Sequence, residues 1–137
     1  KSLDVFSTTL TTVDNVELLV GNGAAFGNTI KNYSDFGQRR LDMDFGVSYD
    51  ADLNQSIAAI TAAASEDERI TNDPHGPWAK VTALGDSAVN IQLRVWCKAD
   101  DYRAIKADMS YRVKKALDKA GIEIPYEHCM IIPMKAK

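Results

Sequence analysis

Cysteine and histidine are scarce in this chain of 137 residues, with two of each. Cys97 and Cys129 could form one bridge at most, and a chain of this length needs no disulfide framework, so a reducing cytoplasm is the expected compartment. A zinc site would have to recruit both cysteines together with His75 and His128. His128 and Cys129 are neighbours in an expected strand, so their side chains point to opposite faces, and His75 has no ligand spacing around it. No metal and no cofactor are expected. Positive charge is also in short supply: 16 Lys and Arg stand against 19 Asp and Glu, a net charge of -3. Arg39-Arg40 and Lys114-Lys115 are isolated pairs, so nothing tracks a phosphate backbone and nucleic acid is not an expected partner. The longest apolar run, Ile57 to Ala64, is interrupted by Thr61 and falls far short of the roughly 20 residues that a spanning helix needs. No signal-peptide pattern is visible, and Lys1 in place of an initiator methionine points to a chain cut from a longer one.

What is present is the balance of an ordinary globular protein, 45% hydrophobic and 26% charged, enough for one domain or for one small module joined to another. Leu3, Val5 and Ser7 alternate with polar or outward positions, and Val16 to Val20 is a second short apolar run before Gly21-Asn22-Gly23, a tight-turn signal. With one further strand before Ser34, the first part is small, β-rich and incomplete as a core. From Arg40 the period sharpens. Leu41, Met43, Phe45, Val47 and Tyr49 define a dry strand face, Asp52 stands at a helix N-cap, and Leu53, Ile57, Ile60 and Ala64 follow at helical spacing. A breaker-rich loop, Thr71 to Pro77, ends that element. Trp78 to Leu84 and Ala88 to Lys98 read as a hairpin about Gly85-Asp86-Ser87. Asp100-Asp101 cap a second helix with an apolar stripe of Tyr102, Ile105, Met109, Val113, Ala116, Leu117 and Ala120, and Gly121 stops it. A last strand is expected at Cys129 to Met134. The chain is thus α+β, and from residue 40 it follows the β-α-β-β-α-β plan of ferredoxin-like folds.

Each residue with chemical potential has a structural reading beside the functional one. Gly21, Gly23 and Gly27 follow an apolar strand, but their spacing is not that of a dinucleotide loop and no full helix fits before Gly37. Asp50 and Asp52 could act as a carboxylate pair, yet no third acidic or His ligand sits at useful spacing, and turn and N-cap roles suit them. Cys97 has period-two neighbours and reads as a core residue, not a nucleophile. Trp78 and Trp96 read as fillers of the core or of a subunit contact. No Ser-His-Asp arrangement, Walker loop or kinase motif set is present, and no enzyme is expected.

Four ordered stretches carry a family resemblance. Leu19 to Ser34 (LVGNGAAFGNTIKNYS) resembles the segment ending the middle β domain of the MscS-type small-conductance mechanosensitive channels. Phe45 to Leu53 (FGVSYDADL) is similar to the strand-turn-helix start of their cytoplasmic α/β domain, and Leu84 to Trp96 (LGDSAVNIQLRVW) to its central hairpin. Gly121 to Glu127 (GIEIPYE) matches the link to the final strand, and Thr8 to Asn15 precedes them all in the expected order. A departure is Gly21 in place of the family's proline.

The resemblance implies a boundary near residue 36 between the end of the middle β domain (1–36) and a ferredoxin-like α/β domain (37–128), followed by a C-terminal strand (129–137) that joins an inter-subunit barrel. It implies a homoheptameric cage on the cytoplasmic side of the bacterial inner membrane, below transmembrane helices of the same parent chain. Ions would pass through its side portals during osmotic protection. The matched residues are Asn22, Gly23, Ile30, Asn32 and Ser34 in the first part, and Tyr49, Asp50, Asp52, Gly85, Asp86, Ser87, Asn90, Arg94 and Trp96 in the second, read as turn, packing and interface residues. Ile131 and Pro133 belong to the barrel strand, with Pro133 marking where pairing ends. The alternative reading is a ferredoxin-like regulatory or ligand-binding module.

Overall fold

The computed structural model describes residues 2–3, 7–21, 29–32 and 36–131. Strands β1 (Ser2–Leu3), β2 (Ser7–Thr11), β3 (Glu17–Gly21) and β4 (Thr29–Asn32) form an antiparallel meander in that order. β2 is a strand the hydrophobic pattern does not announce. Its sequence STTLT is mostly threonine, polar by composition but β-branched, and a pleated surface suits it. The strand expected over residues 3–7 lies partly outside the described residues.

The turn between β2 and β3 is closed by its own side chains. Thr12 N donates to the Val16 carbonyl at 2.9 Å, and Val16 N donates back to Thr12 Oγ1 at 3.1 Å. Asn15 takes a left-handed conformation, φ 63°, which Asn tolerates better than most residues. That turn reaches the second sheet. Asn15 Nδ2 donates to the Gln38 carbonyl at 2.8 Å, and Arg40 N donates to the Asp14 carbonyl at 3.4 Å.

The second sheet contains β5 (Gln38–Val47), β6 (Ile70–Thr71), β7 (Trp78–Leu84) and β8 (Val89–Lys98). β8 is central. On one side it pairs antiparallel with β5 over ten residues, from Gln38 opposite Lys98 to Val47 opposite Val89. On the other it pairs antiparallel with both β7 and β6, which together make one flank interrupted by residues 72–77. β5 and β7 are therefore parallel with β8 between them, and helix α1 (Leu53–Ser65) makes the crossover. This is the split β-α-β arrangement expected from the sequence. β6 falls where only a loop was expected, because a two-residue strand leaves no periodic trace.

Helices α1 and α2 (Tyr102–Lys119) cover one face of the sheet. The strictly alternating Val89, Ile91, Leu93, Val95 and Cys97 are all buried, each at most 2% exposed, and meet Ile105, Met109, Val113 and Leu117 of α2 and Ile60, Ala63 and Ala64 of α1. Burying each large aliphatic side chain contributes on the order of 2 kcal/mol, so this ladder is the main source of stability. Asp52 caps α1 as expected, accepting from Asn54 N at 2.9 Å and Gln55 N at 3.1 Å. Gly121, φ 71°, ends α2 in a Schellman turn: Ile122 N donates to the Leu117 carbonyl at 2.9 Å and Gly121 N to the Asp118 carbonyl at 3.1 Å.

Three expectations need correction, and the C-terminal strand finds no partner among the described residues. Asp101 takes helical dihedrals and makes no side-chain cap, because the turn from Lys98 already delivers the chain in a helical conformation; its charge acts only on the helix dipole. Tyr49 is half-exposed beyond the end of β5, not on the dry face, because Ser48 N is taken by the Glu123 carbonyl at 3.0 Å and the ladder stops at Val47. Of the two readings of Trp78 and Trp96 only the core one is overturned: both lie outside the buried core, on the face of the sheet that carries no helix among the described residues. Residues 129–131 carry no strand and are exposed, since no neighbouring strand stands beside them among the described residues; 132–134 lie outside those residues.

Candidate functional site

Most of the matched residues of the second domain gather at the hairpin end of its sheet. The Tyr49 hydroxyl donates to the Gly85 carbonyl. Gly85 N closes the turn onto the Ala88 carbonyl at 2.7 Å, and a methyl group at Gly85 would stand 3.0 Å from that same oxygen. Gly85 is therefore required by close approach. The Asn90 side chain lies beside Gly46 and Gly85, in ordinary contact with the space that a side chain there would fill. Ser87 Oγ accepts from His128 N at 3.1 Å, which seats the segment after α2 over the hairpin. Asp86 and Asp50 are exposed; Asp50 N donates to Ser48 Oγ at 3.4 Å in the turn that leads to the Asp52 cap.

Arg94 and Trp96 stand apart, on the helix-free face. There Trp96 is paired with Arg40, Arg94 with Asp42 on one side and Trp78 on the other. Arg40 grips Asp42 with Nε at 2.8 Å and Nη2 at 2.9 Å, a bidentate pair. Arg94 places its guanidinium 4.6 Å from the centre of the Trp78 ring and donates from Nε to Gln92 Oε1 at 2.9 Å. Sequence reasoning passed over Arg40, Asp42 and Trp78 as members of this cluster. Strand parity was the available signal: once Val95 and Cys97 face the core, Trp96 and Arg94 must face away.

The remaining matched residues do not join either group. Asn32 Nδ2 donates to Glu17 Oε2 at 3.3 Å across β3 and β4, and Ile131 is fully exposed in the tail. Asn22, Gly23, Ser34 and Pro133 lie outside the described residues. Neither group offers reaction chemistry. Among the described residues no three His, Cys, Asp or Glu side chains come together as a metal site. Cys97 is buried, and that burial raises its thiol pKa, which keeps it protonated and unreactive. The strongest electrostatic feature is structural: buried Asp67, between α1 and β6, is held by Arg69 with bonds of 2.9 and 2.7 Å and faces Arg112 at 3.9 Å. The hydrogen bond from Arg69 holds its carboxyl below the usual carboxylate range, and Arg69 is raised above its own ordinary value by the same bond.

Comparison with known proteins gives a consistent answer. The model of the family described as the C-terminal domain of the mechanosensitive ion channel MscS matches residues 41–124. The chain is 36% identical over 126 residues to a small-conductance mechanosensitive channel of Edwardsiella ictaluri, covering 92% of this chain and 44% of that relative. It is 30% identical to an MscS family protein of Synechocystis, over 92% of this chain and 42% of that one. The crystal structure of Helicobacter pylori MscS in its closed state superposes with a TM-score of 0.72 and 27% identity, over 99% of this chain and 54% of that one. The chain thus spans less than half the length of these curated relatives.

Proposed function

The chain belongs to the mechanosensitive ion channel MscS family by its C-terminal domain, and from that premise we propose that it is the cytoplasmic vestibule portion of a tension-gated channel. MscS channels are membrane proteins and not an enzyme family. Among the described residues no helix is long and apolar enough to cross a membrane. In this reading the spanning helices belong to another part of the same parent chain, seven copies assemble as a cage, and ions pass through side portals under osmotic stress. Selection by pore width and wall charge needs no reactive group, which agrees with the chemistry of both clusters. No catalytic role is assigned.

The observation that carries this reading is the match over 41–124, which takes in both helices and the whole second sheet except the first three residues of β5. The proposed division places the middle β domain at 1–36, the α/β domain at 37–128 and a subunit-joining strand at 129–137. The exposure of Cys129, Met130 and Ile131 supports the last element, since apolar residues left exposed suit burial against other copies. Asn90, Gly85 and Tyr49 then serve to fix the hairpin over which that tail departs.

Light scattering after size exclusion tests the proposal. Seven copies of a 15.1 kDa chain would weigh about 106 kDa. The intact chain should show such rings or sticky incomplete ones, and deleting 129–137 should leave the far-UV dichroism unchanged while removing them. A deletion variant that unfolds would place the tail inside its own domain. A strictly monomeric intact chain would favour the ligand-binding module instead.

A further inference from the structure

The helix-free face of the second sheet contains a cavity of about 400 Å³ that the vestibule reading leaves unused. Its floor is made by Arg40, Trp78, Arg94 and Trp96. Its rim comes from two other segments, the loop Pro74 to Gly76 that interrupts the β6/β7 flank, and Val13 from the turn between β2 and β3. The cavity therefore lies where the first sheet meets the second, a common position for small-ligand sites, and its volume falls in the usual range of about 300–1,000 Å³.

The chemistry of the floor defines what fits. Two indoles offer flat apolar walls. Of the two guanidiniums, Arg40 spends its fork on Asp42, so that charge is neutralised. Arg94 stacks on Trp78 and bonds to the neutral Gln92, with the Asp42 carboxylate 4.0 Å away, beyond hydrogen-bond range. Lys80, 5.7 Å from the Trp78 ring, adds a further cation nearby. The site so formed combines a π surface with excess positive charge on a planar donor set. We propose that this cavity binds a small aromatic carboxylate, its ring against the indoles and its carboxylate on the edge of the Arg94 guanidinium.

The chain contains two tryptophans and both line the cavity, so intrinsic fluorescence reports directly on occupancy. Benzoate is titrated into the intact chain, with N-acetyltryptophanamide as the measure of collisional quenching. A saturable change with a dissociation constant on the order of 1 mM is expected. Benzamide, which keeps the ring and loses the charge, and cyclohexanecarboxylate, which keeps the charge and loses the π face, should each bind about tenfold or more weakly. Arg94→Gln should weaken benzoate by a similar factor while keeping the far-UV spectrum and urea midpoint, and Asp52→Ala, remote from the cavity, should bind as the parent does. A response that stays linear to about 50 mM benzoate, equal binding of benzamide, or an unaffected Arg94→Gln variant overturns the proposal. Benzoate binding by the monomer that vanishes in the assembled form would assign the cavity to a carboxylate of a neighbouring copy, and would overturn it for a free ligand.

Discussion

Replacing Asp67 with Asn removes a negative charge without changing shape, so no cavity accompanies the loss. The side chain is 2% exposed and accepts three bonds from Arg69, two from its guanidinium and one from its backbone N at 3.1 Å. Hydrogen bonds to charged groups contribute about 1.5–3 kcal/mol each, but the guanidinium of Arg69 is 30% exposed and retains Asp108 at 2.8 Å, which offsets part of the loss. Asp67→Asn should therefore cost about 2 kcal/mol at pH 7, or roughly 8 °C in Tm. Because the folded-state pKa lies below the ordinary 3.8, the contribution is present in full above that value and is lost as pH falls through the folded one. Urea titrations followed by tryptophan fluorescence at pH 7 should show parent and variant well separated, and the gap should narrow steadily below about pH 4. A gap that stays constant from pH 7 to about pH 2.5, or one below about 0.5 kcal/mol at pH 7, would refute the assignment of this stability to the ionised carboxylate.

Asp52→Ala should lower stability by about 1 kcal/mol through loss of the α1 cap, read as a lower urea midpoint at unchanged slope. Leu93→Ala, at a fully buried position of the central strand, should cost about 3 kcal/mol and lower the thermal midpoint more than any surface change. At pH 7 a thiol reagent should modify the exposed Cys129 quickly in the dissociated single chain and more slowly in assembled rings, and Cys97 only on unfolding, giving one fast thiol per monomer.

The second domain was legible because its signals are local and redundant. Val89 to Cys97 alternates strictly, Ile105, Met109, Val113 and Leu117 recur every fourth residue, and Gly121 is where a left-handed residue must end α2. The α+β class and its split β-α-β core follow from those residues. What could not be read depends on partners distant in sequence. Tyr49 leaves the strand because the Glu123 carbonyl claims Ser48 N, and β6 exists only because Trp96 and Cys97 offer it an edge. Asp101 has the right side chain for a cap, but a preceding turn sets its backbone. The Arg-Trp cluster combines both cases: parity put Arg94 and Trp96 on the outer face, whereas meeting Trp78 and Asp42 required the register of three strands.

The contacts of Asn15 and Asp14 with Gln38 and Arg40 give the chain two mechanical couplings at one place. Residues leaving the first sheet enter β5 at Gln38, and the turn between β2 and β3 grips the same end of that strand. A load on the first sheet thus converges on the start of β5 by a covalent and a non-covalent route, with Asn15 acting as a fulcrum. Along the strand axis that load falls in shear on all ten rungs shared by β5 and β8, which yield together and not one after another. Pulled across the axis, the same strand would peel from Gln38 onward, and the two bonds from the turn would be the first to part.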